Sequence, residues 1–403
     1  MKLDMNATES FDPVVIVGAA RTPIGGLLGE LKDVSAQELG AAAIRAAVAR
    51  ADAPTDQIDD VLMGCVLSAG LGQAPARQAS LAAGLPEAAG CVTINKMCGS
   101  GMKAIMLAHD QLLAGSSHAV IAGGMESMSN APYLLARARE GYRMGHATLV
   151  DHMFLDGLED AYDKGRLMGD FAEDCATTHQ FTRKMQDDYA IASLARAQLA
   201  AREGVFDWEI APVETQNRKA RTIVARDELP AKAQAEQIEK LKPAFREGGT
   251  VTAANSSAIS DGAAALVVMR RGRAERAGRA PLAIIHAHAT HAGPPNLFPI
   301  APIGAIRKLS ERLGWPLSSV DLFEINEAFA VVVMAAMREL DLPRDKVNVH
   351  GGACALGHPI GASGARIVVT LLSALRKYGL RRGVAALCIG GGEATALAIE
   401  RLD

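Results

Sequence analysis

Three short sequence patterns occur twice in this chain, in the same order and at a nearly constant distance from their copies. The copies pair residues 58–64 with 320–326, residues 99–104 with 362–366, and residues 120–126 with 388–393. One match of this length would be weak evidence, but three matches in register indicate a duplicated domain. We therefore expect two similar halves that pack together.

Short apolar runs alternate with helical patterns in the first half. Residues 14–18, 61–64 and 118–123 are apolar runs typical of buried strands. Helices are expected over residues 36–51 and over residues 98–113. This alternation indicates parallel βαβ units and therefore the α/β class.

The alternation stops after Ser127 and returns at Asn255. The segment between is richer in charge and methionine, with a helix expected over residues 168–203 and a polar, irregular stretch over residues 214–236. It is too apolar to be disordered, so we interpret it as an insertion that caps the first half. The expected division is a first half of residues 13–127 and 251–280, an inserted loop domain of residues 128–250, and a second half of residues 281–403.

Composition excludes several classes of protein. Among the 403 residues 39 are glycine and only 4% are aromatic, which is typical of an α/β enzyme packed on small side chains. A net charge of −3 without a basic stripe argues against a nucleic-acid partner. We find no signal-peptide pattern and no apolar run of roughly 18 residues, so we expect no membrane partner and a cytoplasmic location. The six cysteines lack CxxC spacing, which argues against disulfides and zinc.

Cys98 is the first candidate for chemistry, since it is expected to begin a helix and is followed by Gly99-Ser100-Gly101. The positive end of the helix dipole and nearby backbone N–H groups stabilise a thiolate and could form an oxyanion hole. A small buried core residue is the alternative interpretation of any cysteine. The glycine-rich turn favours a nucleophile, because a core cysteine does not need one.

A histidine and a second cysteine lie in glycine-rich segments of the second half. His358 is followed by proline and flanked by glycines, which places it on a tight loop where it could take the proton of Cys98. Cys388 is expected on a strand that enters three consecutive glycines, Gly390 among them. His350 is interpreted as a surface or supporting histidine. The alternative interpretation of His358 is a loop residue whose ring is hydrogen-bonded to the backbone. The alternative interpretation of Cys388 is a residue of a core strand.

Asn326 follows a predicted buried strand, and the carboxyl ends of strands are where active sites of α/β proteins form. Its amide could orient a water or donate to an oxyanion. Asparagine is also favoured as a helix N-cap, and both roles can hold together.

These segments resemble the thiolase family, of the acetyl-CoA acetyltransferase or 3-ketoacyl-CoA thiolase type. The resemblance extends from Val14 to Leu402, and its motifs surround Cys98, residues 326–330, residues 351–364 and residues 388–392, in order. It implies an α/β, thiolase-like fold with two duplicated halves and a loop domain inserted in the first. It also implies a homodimer or a homotetramer.

The resemblance implies a mechanism on sulfur. Cys98 would attack a thioester with His358 as base, and Cys388 would remove the α-proton of a second acyl-CoA in a Claisen condensation, or return it in thiolysis. One oxyanion hole would use His358 and a water held by Asn326, and the other the backbone N–H groups of Cys98 and Gly390. An α-proton beside a thioester is weakly acidic, so the enolate depends on fixed donors.

The resemblance also implies that acyl-CoA and CoA are the small-molecule partners. No metal, flavin or nicotinamide cofactor is expected, because Gly390-Gly391-Gly392 does not fit the GxGxxG pattern of dinucleotide sites. The substrate-binding residues implied by the motif matches are Ser257, Phe245, Phe329, Phe298 and Leu167, together with Arg218 and Lys219 for the 3′-phosphate of CoA. The alternative for the last two is a solvated basic loop.

Several positions depart from the acetoacetyl-specific pattern of the family. Among them, Leu167 stands where histidine is frequent, and Phe298 stands where methionine is frequent. Both could reshape the acyl end of the site, so a degradative 3-ketoacyl-CoA thiolase of broader chain range in fatty acid metabolism stays open. A decarboxylating ketoacyl synthase and a non-catalytic lipid or CoA carrier are also compatible with a fold of this kind. Cys388 argues against the synthase, and the complete residue set argues against the carrier.

Overall fold

The computed structural model describes residues 12–216 and 221–402. Its strands form where the sequence has continuous apolar runs, and most are buried on both faces. The strands of this part are β1 Val14–Arg21, β2 Gly25–Gly26, β3 Asp60–Gly64, β4 Gly90–Ile94, β5 Ala119–Ser127, β6 Tyr133–Leu134, β7 Val150–Asp151, β8 Val213–Gln216, β9 Arg221–Val224, β10 Ser260–Arg270, β11 Ala283–Ala292, β12 Leu322–Ile325, β13 Arg382–Ile389 and β14 Glu393–Arg401.

Several helices have recognisable end signals. A capping box of Ser35 and Glu38 begins the first long helix, and glycines in the left-handed conformation end several others, as at Gly379. Within the described ranges, no helix is long and apolar enough to cross a membrane. The α-helices are α1 Ala36–Ala51, α2 Pro75–Ala82, α3 Ser100–Ala114, α4 Met168–Thr178, α5 Arg183–Arg202, α6 Glu228–Lys232, α7 Ala235–Ile238, α8 Arg271–Arg276, α9 Ala301–Leu313, α10 Ala330–Leu340, α11 Ala353–Leu356 and α12 Ile360–Tyr378.

One large sheet runs through both halves in the order β12-β13-β14-β11-β1-β10-β5-β3-β4, with β2 added beside β10. Parallel pairing joins β3 to β4 and β5, and β12 to β13. The other pairs of this sheet are antiparallel. The prediction of parallel βαβ units is thus correct for the repeated segments and wrong for the strands that join them.

The two repeated helices, α3 and α12, pack against each other between strands of both halves. Glycine makes the close approach possible. A Cβ at Gly101 would lie 2.9 Å from the backbone nitrogen of Ala365, and one at Gly364 would lie 2.4 Å from that of Met102. Because Cys98 precedes α3 and His358 precedes α12, this contact brings together the segments that carry both candidates.

The predicted elements are largely confirmed, with three differences. The first strand and α1 form where expected, but α3 begins at Ser100, so Cys98 lies just before the helix. The helix predicted over residues 168–203 is two helices, because Gln180 takes a left-handed φ of 53° and Thr182 caps α5. The stretch predicted as irregular over 214–236 contains most of β8, its antiparallel partner β9, and α6. The boundaries of the three domains stay a prediction.

Candidate active site

A cavity of about 340 Å³ lies between the two glycine-rich loops and the inserted segment. A second cavity of about 360 Å³, beside His291 and Arg307, contains none of the candidate residues. The predicted residues that line the first cavity are Cys98, His358, Cys388, Gly390, Ser257, Phe245, Phe329, Phe298 and Leu167. The fold therefore gathers most of the predicted set into one space.

The loop that carries Cys98 is held by its own hydrogen bonds. The Lys96 backbone N–H donates to Ser100 Oγ at 2.8 Å, and that hydroxyl donates to the Met97 carbonyl at 2.6 Å. Met97 adopts a left-handed φ of 47°, which is strained for a side chain with a Cβ. The glycine at 99 is needed for space, since a Cβ there would lie 2.4 Å from Ile389 Cδ1. The loop that carries Cys98 thus fits against the strand that carries Cys388.

The surroundings of Cys98 favour its neutral thiol. Burial raises the pKa of the thiol to about 11, although the backbone N–H groups of Gly390 and of Cys98 itself act in the opposite direction. Those two donors are the pair expected to form an oxyanion hole. The direction of the pKa shift is opposite to the one expected from the helix alone, because loss of solvation outweighs the donors.

His358 is held as a neutral base. Its backbone N–H donates to the Ala258 carbonyl, and its Nδ1 lies 2.5 Å from Ser363 Oγ, which also lies 2.9 Å from the Pro359 carbonyl. The carbonyl can only accept, so Ser363 satisfies both contacts by donating to Pro359 and accepting from Nδ1–H. Nε2, which has no protein partner among the described residues, then carries the free lone pair. Burial lowers the pKa of His358 to about 3.

Asn326 is 1% exposed and lies directly after β12, where the strand is expected to end. Its Nδ2 is 3.5 Å from His358 Nδ1, and its backbone N–H donates to the Ala386 carbonyl. The alternative of a helix N-cap is wrong, because α10 begins at Ala330 with Phe329 in the capping position. Asn326 therefore supports the wall of the cavity behind His358.

Cys388 is buried near the end of β13 and lines the same cavity as Cys98. Burial raises the pKa of its thiol, and the neighbouring Cys98 adds to the effect. The strand ends in the glycine turn as predicted. Gly392 has a φ of 84°, and a Cβ there would lie 2.5 Å from the Gly293 carbonyl oxygen, so the turn requires glycine.

Aromatic side chains line the same cavity as the cysteines. Phe329 packs edge-on against Phe245, with ring centroids 5.9 Å apart, and Phe298 lies 6.4 Å from Phe329. The backbone N–H of Ser257 donates to the Ala328 carbonyl, which fixes the loop beside them. Arg218 and Lys219 lie outside the described residues.

A buried acid, Glu126, was not singled out by the sequence although it ends one of the repeated patterns. Its carboxylate accepts backbone N–H bonds from Val66, Leu67 and Gly361 at 2.8–3.0 Å. Burial raises its pKa from 4.5 to about 7. Glu126 thus connects the start of the His358 helix, α12, to the loop after β3.

Lys96 and Glu393 form an ion pair that joins the Cys98 loop to the Cys388 turn. Both side chains are half-buried. The ion pair gives a structural reason for the acidic residue directly after the three glycines. The sequence alone could not pair two positions that lie almost 300 residues apart.

His350 is 2% exposed, so its predicted surface location is wrong. It packs between Phe206 and Tyr378, and burial lowers its pKa to about 4.

One group of side chains that could ligate a metal occurs in the described ranges, on α3 and β11. His109 and His288 both contact Asp110 Oδ1, at 3.2 and 2.9 Å. These hydrogen bonds account for the cluster without an ion. The expectation of no metal stays a prediction.

The fold and the cavity define a class: an α/β protein with two internal repeats, in which a thiol, an imidazole and a second thiol share one cavity. Residues 14–272 match the family model "Thiolase, N-terminal domain", and residues 279–401 match "Thiolase, C-terminal domain". The chain belongs to the thiolase family.

Similar proteins of known name agree with this assignment. Acetyl-CoA acetyltransferase 2 of Arabidopsis thaliana is 50% identical, over 98% of this chain and 100% of its own. The acetyl-CoA acetyltransferase structure of Bacillus anthracis has a TM-score of 0.95 at 41% identity, covering 98% and 100% of the two chains. Acat5 thiolase of Ascaris suum, solved in complex with coenzyme A, has a TM-score of 0.91 at 42% identity, covering 97% and 100%. The predicted thiolase-like fold is confirmed.

Proposed function

We propose that this protein is an acetyl-CoA acetyltransferase, which condenses two acetyl-CoA molecules to acetoacetyl-CoA and CoA or catalyses the reverse thiolysis. The observation that carries the proposal is that Cys98, His358 and Cys388 line one cavity, with Gly390 beside them. The acetyl-CoA acetyltransferases among its relatives support the acetyl group as substrate.

In the proposed first step, Cys98 Sγ attacks the thioester carbonyl while His358 Nε2 takes the thiol proton. The carbonyl oxygen receives hydrogen bonds from the N–H groups of Cys98 and Gly390, and CoA leaves with the proton. Burial raises the pKa of Cys98 and lowers that of His358, so we expect proton transfer to accompany the attack and not to precede it.

In the proposed second step, His358 Nε2 takes the thiol proton of Cys388, and the resulting thiolate removes the α-proton of a second acetyl-CoA. The enolate oxygen is stabilised by His358 Nε2–H and by a water held by Asn326. The carbanion then attacks the acyl-cysteine, a carbon–carbon bond forms, the Cys98–acyl bond breaks, and Cys98 takes back a proton from His358. Burial raises the pKa of Cys388, so its thiolate is a strong base that exists only briefly.

The direct test is CoA-dependent cleavage of acetoacetyl-CoA by the purified protein, with Cys98→Ala as the control. We expect cleavage that the substitution abolishes. Absence of cleavage in the unsubstituted protein, or cleavage that survives in Cys98→Ala, would contradict the proposal.

A second candidate is a degradative thiolase that accepts longer 3-ketoacyl-CoA esters. It is supported by the apolar lining of the cavity, which includes Leu167, Phe298, Phe154 and Leu158. Comparing kcat/KM for C4, C6 and C8 3-ketoacyl-CoA distinguishes the two. A steep preference for C4 supports the acetyltransferase, and a flat series supports the degradative enzyme.

A homodimer or homotetramer is also part of the proposal. Strand β4 ends the large sheet, and Val92 on it is 48% exposed. An open strand edge of this kind readily pairs with another chain. Sedimentation of the purified protein would measure the assembly, and a monomer would contradict the proposal. The cytoplasmic location and the place in fatty acid metabolism stay predictions.

A further inference from the structure

Arg366 is a buried cation behind the site, on the first turns of α12. It is 2% exposed, and its Nη2 lies 3.4 Å from Asn326 Oδ1. Its Nη1 is 3.8 Å from Glu324 Oε2, and Glu324 is equally buried. The guanidinium therefore lies between a buried acid and the amide of Asn326.

The chemistry of guanidinium decides which way that amide faces. Arginine offers five N–H donors and no acceptor, so the asparagine atom that faces it has to be the oxygen. The amide nitrogen then lies on the opposite side, towards His358, from whose Nδ1 it is 3.5 Å away. Nδ1 already donates to Ser363, so the amide hydrogens of Asn326 are left for a water or a substrate oxygen.

We propose that Arg366 is a positioning residue that fixes the amide of Asn326 with its N–H donors on the His358 side. The inference rests on the proposed function, in which Asn326 holds a donor at the enolate oxygen. A flipped amide would present an acceptor to a developing negative charge. Arg366 would thus act on the carbon–carbon step and leave the acylation step unaffected, since acylation uses the Cys98 and Gly390 donors.

A purely structural role is the competing interpretation, because removing Arg366 leaves Glu324 buried without its counter-charge. Four variants separate the two. Arg366→Met removes all donors, and Arg366→Lys keeps a group that can only donate. Arg366→Met/Glu324→Gln removes the donors without leaving an unpaired acid, and Asn326→Asp measures the full loss of the amide donor.

Each variant is assayed in two ways: the rate at which acetyl-CoA acylates Cys98, followed by intact mass, and the steady-state condensation of acetyl-CoA. Loss of an oxyanion donor lowers kcat by about 10²–10³-fold, so we expect that from Asn326→Asp. We expect about a tenth of that effect, or roughly 10–100-fold, from Arg366→Met and from the double variant. Acylation and KM stay unchanged, and Arg366→Lys recovers most of the turnover.

The inference is overturned if the double variant condenses at the rate of the unsubstituted protein. It is equally overturned if acylation and condensation fall together, which would indicate general damage to the fold, or if Arg366→Lys is as impaired as Arg366→Met. Failure of the proposed function is recognised separately, because the unsubstituted protein would then not be acylated.

Discussion

Glu126→Gln tests the buried carboxylate that connects the His358 helix to the loop after β3. One carboxylate oxygen accepts from the Leu67 N–H and the Cys65 thiol, and the other accepts from the Val66 and Gly361 N–H groups. Glutamine keeps only one acceptor oxygen, because its amide has an NH2 group in place of the other. The orientation that keeps most hydrogen bonds directs this oxygen towards Val66 and Gly361. The Leu67 N–H is then left facing an NH2 group, and an unsatisfied buried donor costs about 1–3 kcal/mol.

The effect depends on pH because the folded-state pKa of Glu126 is raised. In the unfolded chain the carboxyl ionises near its ordinary 4.5, and in the folded protein at about 7. Its contribution to stability is therefore largest below pH 4.5 and is lost as the pH rises through 7. At 1.36 kcal/mol for each pKa unit, the loss is about 3 kcal/mol. Glutamine does not titrate and does not incur this loss.

We therefore expect Glu126→Gln to be less stable than the unsubstituted protein at pH 5, and the difference to shrink or vanish at pH 8.5. The assay is urea unfolding of both proteins at the two pH values, with Glu311→Gln on the exposed side of α9 as the control. A difference that stays constant with pH would refute the raised pKa, and one that widens would show that the pKa is lowered. Equal stability at pH 5 would refute the role of the donors.

Three further predictions concern the site. Ser363→Ala removes the group that keeps Nδ1 of His358 protonated, so kcat at saturating acetyl-CoA should fall by about 10–100-fold. An unchanged kcat would contradict the tautomer of His358 with its proton on Nδ1. Phe298→Met restores the residue that is frequent in the acetoacetyl-specific pattern, so it should lower kcat/KM for C6 relative to C4 3-ketoacyl-CoA and cost less than about 1.5 kcal/mol in unfolding. An unaltered ratio would exclude Phe298 from chain-length selection. The pH profile of the acylation rate should show no ionisation near pH 6.5, since burial lowers the pKa of His358 to about 3. A fall in the rate below pH 6.5 would contradict this prediction.

Much of the fold could be predicted because its elements are local and repeated. Helix α1 has a capping box at its start, and the strands of both repeats are continuous apolar runs. The antiparallel joins of the sheet could not be predicted, since strand pairing depends on contacts between residues far apart in sequence. The break before Thr182 depends on one left-handed residue, Gln180, that no pattern marked.

That Cys98, His358 and Cys388 belong to one site could be predicted, because cysteine and histidine in glycine-rich segments have few other uses, and the three residues line one cavity. Their protonation states could not. A thiol before a helix was expected to be a thiolate, and only burial in the folded protein shows that the pKa of Cys98 rises to about 11. Supporting residues such as Glu126, Ser363 and Arg366 were missed for a related reason: acids, serines and arginines are common, and only the fold shows that these three are buried beside the site.

The central claim is that two thiols in one cavity have separate roles. Its most direct test is the intact mass of Cys98→Ala and Cys388→Ala after incubation with acetyl-CoA, together with condensation by each. Cys388→Ala should gain one acetyl group and form no acetoacetyl-CoA, whereas Cys98→Ala should gain no acetyl group and form none either. Acetylation of Cys98→Ala, or condensation by Cys388→Ala, would contradict the account.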